Sequence, residues 1–220
     1  MTARTAALES VRPAQSEAAP AAKTDEELLE EYKQGRTEAF RVLVERHNRP
    51  VYRFCLRALG RPEAAEDATQ EVFLRVVKHA PSWERKAKFT TWLYTIARNY
   101  CIDEARKGRF RHTESLNEPQ HKGDGEDGSE RIDSVAGEEV SSDRVADSVR
   151  MRRVIEQSLA EMPEEQRDVF CLREYGGLAF KEIADLVGAG ENTVKSRMRY
   201  ALAGLRKSLE AAGFSHPDTS

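Results

Sequence analysis

The chain has 220 residues, 33% of them charged and only 7% aromatic, a composition that suits small helical domains with modest cores better than one large core. The formal net charge of −3 conceals a segregation: from Arg85 to His112 eight bases stand against two acids, and from Thr113 to Ser148 eleven acids stand against three bases. No apolar run approaches the roughly 18–20 residues of a membrane span, and the Ala- and Pro-containing stretch Met1 to Lys23 has no continuous apolar h-region, so stable membrane insertion and a secretory signal are excluded.

In chain order, residues 1–23 read as a disordered leader. Thr24 then opens a first helix, with Glu27 placed for a capping box and Gly35 ending the turn. Glu38 to Leu59 carries apolar residues at helical spacing (Phe40, Leu43, Val44, Val51, Phe54, Cys55, Leu59), with Pro50 a point of bending. Gly60-Arg61-Pro62 punctuates, a third helix is predicted from about Glu63 to His79, and a loop around Pro81 to Lys88 leads to a fourth from Thr90 to Lys107. Thr113 to Ser148 is acidic, poor in aliphatics and contains four glycines, which predicts a flexible linker. Helical period returns near Val149, Pro163 starts another helix, and Gly176-Gly177 ends it. No segment sustains period-two alternation, so the expected fold is all-α. It comprises two small helical domains, 24–112 and 149–210, with 113–148 as the flexible acidic linker and 211–220 as a short tail.

The C-terminal block has the strongest local signature. Ala179 to Val187 is a short helix with Phe180, Ile183, Ala184 and Val187 inward; Gly188-Ala189-Gly190 makes a tight turn; Glu191 to Lys207 is a longer basic helix. That arrangement is a helix-turn-helix. On the wheel of the second helix, Val194, Met198, Ala201, Leu202 and Leu205 share the packing face. Asn192, Ser196, Arg199, Ala203 and Lys207 lie opposite. Asn192, Lys195 and Arg199 can reach base edges; Arg197, Arg206 and Lys207 are placed for phosphates; the small Ser196 and Ala203 permit close approach to a groove. The bland alternative, a solvated basic face on a helical hairpin, leaves the glycine turn and the small central residues unexplained.

The N-terminal basic block differs in kind. The fourth helix directs Trp92, Leu93, Ile96, Ala97 and Tyr100 inward and Thr91, Thr95, Arg98, Asn99 and Arg106 outward, beside a loop holding Trp83, Arg85, Lys86 and Lys88. Arginines interleaved with amide and hydroxyl groups suit a strand with exposed bases, because Arg and aromatic faces stack on bases and Asn can pair with a base edge. Trp92 and Phe89 read as core; Trp83 reads equally as core or as a base platform. On the third helix, Asp67, Gln70, Glu71, Leu74 and Lys78 form one stripe away from the buried Ala68, Val72 and Val76. An outward Leu there suits docking on another protein's helix. The widely spaced Cys55, Cys101 and Cys171 read as buried free thiols in a reducing cytosol. No His stands at metal-ligand spacing from another His or a Cys, so neither metal nor other cofactor is implied.

The runs DATQEVFLRVV (Asp67 to Val77), FTTWLYTIARNYCIDEARKGR (Phe89 to Arg109) and MPEEQRDVFCLREYGGLAFKEIADLVGAGENTVKSRMRYALAGLRK (Met162 to Lys207) together resemble an extracytoplasmic-function (ECF) sigma factor of bacterial RNA polymerase. The similarity covers about Thr24 to Gly108 and Arg150 to Leu209. It implies a first domain that docks on the clamp helices of the largest polymerase subunit through Asp67, Gln70, Glu71 and Leu74. The same domain would open the −10 element, holding an extruded base near the Trp83 to Lys88 loop and Asn99. It implies a second domain that reads the −35 element, a linker that threads the polymerase channels, and an anti-sigma factor as a further partner.

Two other classes compete. A free-standing helix-turn-helix regulator would need no basic-aromatic block and would carry a sensor or dimer domain. An enzyme would need a P-loop, paired carboxylates in a glycine-rich frame or a metal cluster, and the sequence carries none of these.

Overall fold

The computed structural model describes residues 23–114 and 142–214, with side chains for 23–107 and 146–214. The expected leader, most of the acidic linker and the end of the tail lie outside the described residues. Eight α-helices are present among the described residues, and no strand. The first bundle contains α1 (Asp25–Lys33), α2 (Thr37–Leu59), α3 (Pro62–His79) and α4 (Phe89–Glu114), with a single 3-10 turn at Ala80–Ser82. The second contains α5 (Ser142–Glu161), α6 (Glu164–Glu174), α7 (Phe180–Val187) and α8 (Glu191–Ala211).

Local chemistry accounts for several helix ends. The Thr24 hydroxyl accepts from Glu27 N, while Glu27 Oε2 accepts from Thr24 N, so the capping box satisfies two otherwise free N–H groups at the start of α1. Pro62 occupies the first turn of α3, where its missing N–H costs nothing. Helix α2 continues through Pro50. The hydrogen bond that proline cannot make is offset by the stripe Leu43, Val51, Phe54 and Cys55, all buried. A fully buried side chain of that size contributes roughly 1.5–3 kcal/mol. Two ends differ from expectation: α4 runs on to Glu114, and α5 begins at Ser142, inside the segment read as linker.

The two bundles are not held apart. One apolar cluster joins Phe54, Cys55 and Tyr94 of the first bundle to Val169, Cys171, Leu172, Leu178 and Ile183 of the second. A small second cluster, Leu159, Met162, Ala201 and Leu205, ties α5 to α8. Tyr94, absent from the inward face expected for α4, is 1% exposed because its outer side is covered by the second bundle, where its hydroxyl donates to Tyr175 O at 2.8 Å. Conversely Leu202, expected inward on α8, is 48% exposed. The neighbouring helices cover only the stripe Val194, Met198, Ala201 and Leu205, and Leu202 falls outside it. All three cysteines are free and buried.

Candidate nucleic-acid and polymerase interfaces

On α3 the helical period turns Ala65, Ala68, Val72 and Val76 into the core and leaves the opposite side open. Leu74 is 62% exposed, the most exposed large apolar side chain among the described residues. Asp67 and Gln70 are exposed beside it. Glu71 is half-buried and accepts from Arg75 Nε at 2.8 Å, and the Arg75 guanidinium in turn lies 4.9 Å from the centre of the Tyr100 ring. Glu71, Leu74, Arg75, Lys78 and His79 line a shallow cavity of about 350 Å³. An apolar side chain rimmed by fixed charges, next to a recess, is suited to a partner helix.

The loop before α4 forms a second recess of about 460 Å³, lined by His79, Ser82, Trp83, Glu84, Lys86 and Trp92. Trp83 forms its wall and offers no open stacking face: it is 6% exposed, with its ring 6.1 Å from Trp92. Lys33 lies over the Trp83 ring and donates to its carbonyl. Of the two readings left open for Trp83, core or base platform, its burial beside Trp92 and under Lys33 favours the core. Arg85, Lys86 and Lys88 are exposed around the loop, and Lys86 pairs with Glu84. Helix α4 is capped from outside its own sequence, by Glu26 Oε1 accepting from Phe89 N at 2.8 Å.

Along α4, Asn99 and Arg106 are exposed as expected. Arg98 is corrected from an open side chain to one engaged across the bundles. Its Nε donates to Asp168 Oδ2 at 3.0 Å, and the two side chains are 21% and 17% exposed. Burial pushes the Asp168 carboxyl up, against the pull of the Arg98 charge. Two turns toward the N-terminus of α4, the carboxylate of Glu182 accepts from Thr91 Oγ1 at 3.1 Å and lies 3.3 Å from Nζ of Lys88, the residue just before the helix. Burial opposes ionisation of Glu182, but hydrogen bonds from Ala179 N, Lys88 and Thr91 outweigh it and hold the carboxyl below its usual range. Sequence reading missed Glu182 and Asp168. The only local signal for Glu182 was its position three residues after Ala179, where it caps α7.

In the helix-turn-helix, Gly188 adopts φ +67 between α7 and α8, a left-handed conformation that glycine takes without a Cβ penalty. This turn sets Asn192 and Lys195 at the exposed start of α8, with Lys195 paired to Glu191 at 2.7 Å. Arg199, Arg206 and Lys207 are exposed, and the Arg199 guanidinium lies 5.4 Å from the centre of the Tyr200 ring, itself 57% exposed. Ser196 is half-buried, and Arg197 is held against Glu165 of α6. Among the described residues no cluster of His, Cys, Asp or Glu could hold a metal ion, and no helix is long and apolar enough to cross a membrane.

Comparison with known proteins matches both bundles. Residues 43–111 fit the family model of sigma-70 region 2, and residues 152–205 fit that of sigma-70, region 4. The chain is 33% identical over 174 residues to the ECF RNA polymerase sigma factor SigL of Mycobacterium tuberculosis (strain ATCC 25618 / H37Rv), covering 79% of this chain and 90% of that one. It is 29% identical over 185 residues to the ECF RNA polymerase sigma factor SigW of Bacillus subtilis (strain 168), covering 82% and 94%. In fold it resembles the sigma factor RpoE solved with the anti-sigma factor NepR from Bartonella quintana (TM-score 0.58, 19% identity, 78% of this chain and 96% of that one). It also resembles CnrH solved with the cytosolic domain of CnrY (TM-score 0.57, 22% identity, 86% and 99%). With a region 2 bundle, a region 4 helix-turn-helix and relatives matched over nearly their whole length, the chain belongs to the ECF sigma factors of the sigma-70 family.

Proposed function

We propose a division of labour between the two bundles within promoter-directed transcription initiation, the function of the family. The first, residues 24–112, binds core RNA polymerase through Asp67, Gln70, Glu71 and Leu74 of α3, which meet the clamp helices of the largest subunit. It holds the opened −10 strand with Arg85, Lys86, Lys88, Arg98, Asn99 and Arg106, and the recess walled by Trp83 receives an extruded base. The second, residues 149–210, reads the −35 element with Asn192, Lys195 and Arg199 at base edges, while Ser196 allows close approach and Arg197 and Lys207 meet phosphates. The observation that carries this reading is the pairing, in one chain, of an exposed Leu74 stripe and basic-aromatic loop with a separate basic recognition helix. An anti-sigma factor is the natural inhibitor, as both structural neighbours were solved with such a partner or a cytosolic protein domain.

Purified core polymerase with and without the chain is the decisive comparison. Selective initiation from one promoter class only when the chain is present is the expected result. Tight, promoter-specific duplex binding by the chain alone, with no effect of polymerase, would instead favour a free-standing regulator.

A further inference from the structure

Trp83 and Phe89 are buried, and the five residues between them are all exposed. Ser82, Trp83, Glu84 and Lys86 supply most of the lining of the recess, so the recess takes whatever shape this loop takes. The loop's own backbone bonds, Trp83 N to Ala80 O and Lys86 N to Glu84 O, are local and do not join one end to the other. Both ends are gripped instead by α1. Lys33 Nζ donates to Trp83 O at 3.0 Å and lies over the indole, 5.9 Å from its centre. Glu26 Oε1 accepts from Phe89 N at 2.8 Å, where the loop becomes α4. The two side chains stand two turns apart along α1, about 10.5 Å of rise, and neither lines the recess. Helix α1 is itself held, with Leu28 and Leu29 buried and Asp25 bonded to Arg46 and His47 of α2.

We propose that Lys33 and Glu26 are positioning residues for base capture: α1 is a rigid bar that fixes both ends of the loop and so holds the recess in the shape that receives one extruded base, a role that rests on the reading of that recess as the base site. Both ties are charge-assisted, an ammonium on a carbonyl and a carboxylate on an N–H at a helix start, where the helix dipole favours negative charge. Each is therefore stronger than a neutral bond in its place. An untied loop of exposed, mostly charged residues samples many shapes, and ordering it at the moment of capture subtracts from affinity for the base. Ordering it beforehand does not. The ties also bear on selectivity. A recess of fixed outline accepts one base better than the others, whereas a loose one adapts to each of them. Loss of the ties therefore costs discrimination at one position of the strand and spares positions held elsewhere. Lys33 and Glu26 act through the backbone of Trp83 and Phe89, not on the base.

Core polymerase loaded with the chain is offered a pool of short single strands of random sequence, and sequencing the captured fraction gives the base preference at each position. The position that enters the recess is the one flattened by Lys86→Ala, a change in the recess lining itself. Lys33→Met keeps the aliphatic stem over Trp83 and removes the ammonium; Glu26→Ala removes the acceptor. Both should flatten that same position. Affinity for the preferred strand should fall about tenfold if the untied loop holds the receiving shape roughly one time in ten. Preference at the other positions and affinity for core polymerase should stay unchanged. Lys33→Arg and Glu26→Gln, which retain a donor and an acceptor, should keep the wild-type preference. Urea unfolding of each free chain checks that the variants fold. Preference lost equally at every position, or no recovery in the Arg and Gln variants, would overturn the positioning role. A position flattened by Lys86→Ala but left intact by Lys33→Met and Glu26→Ala would overturn it too, while the base site stands. A pool in which none of the three variants changes any position would remove the base site as well.

Discussion

Arg98 of α4 and Asp168 of α6 meet at 3.0 Å across the two bundles, so an arginine expected to face DNA is held by a carboxylate of the second bundle. The pair is mostly buried, and its burial raises the Asp168 carboxyl even with Arg98 beside it. The desolvation of such a pair offsets much of its attraction, so its net contribution to stability is small. The chain thus presents its recognition helix and its α3 stripe to solvent while part of its α4 face is covered.

The α3 stripe should separate binding from stability. Leu74 is 62% exposed, so Leu74→Ala should change unfolding free energy by less than about 0.5 kcal/mol. Its affinity for core polymerase should nevertheless fall, about tenfold if the side chain anchors a partner helix at a cost near 1.4 kcal/mol. Urea unfolding and fluorescence titration with core polymerase check the two halves. Full affinity in the variant would place the docking surface elsewhere.

The recognition helix should divide into base and phosphate contacts. Arg199→Ala should cost roughly 1–3 kcal/mol on a specific −35 duplex and relax preference at one position. Lys207→Ala should weaken all sequences alike and flatten the dependence on salt. Titrations on specific and scrambled duplexes at several salt concentrations test both. Equal losses on both duplexes for both variants would refute the assignment.

Asn99 is exposed on α4, apart from the covered stripe. If its amide pairs with the edge of one extruded base, Asn99→Ala should cost about 1–3 kcal/mol in strand binding while sparing core binding and −35 recognition. A fluorescent base analogue in the −10 element, on duplex and on a mismatch bubble, reads this. A defect confined to the duplex assigns Asn99 to opening, an equal defect on both assigns it to base reading, and no defect on either removes it from the site.

Acid should weaken the junction of α1 and α2. Asp25 accepts from His47 and from Arg46 at 2.7 and 2.8 Å; burial opposes its ionisation, but these hydrogen bonds outweigh it and lower its pKa. A carboxyl lowered in the folded state contributes stability that is present above the unfolded value of about 3.9 and is lost as pH falls through the folded one. Asp25→Asn should therefore be less stable than the parent at neutral pH, and the difference should shrink below about pH 4. Denaturant unfolding across that range is the check, and a difference that grows on acidification would contradict it.

Features set by a few neighbouring residues were legible without the fold. The Thr24–Glu27 capping box, the glycine turn at Gly188 and the outward Leu74 stripe each depend on one helix and its ends, and the structure has all three. Helical period fixes how side chains are disposed around a helix's own axis, and this sufficed for most of the core and for the exposed residues of α8. It says nothing about which side another bundle will cover. The burial of Tyr94, the engagement of Arg98 by Asp168 and the bridging of Lys88 and Thr91 by Glu182 join positions 70 or more residues apart. Exposure of Leu202 and burial of Trp83 likewise depend on where neighbours end. Those partners lie far along the chain and carry no local signal, so only the tertiary arrangement decided which polar groups face solvent and which face the other half of the protein.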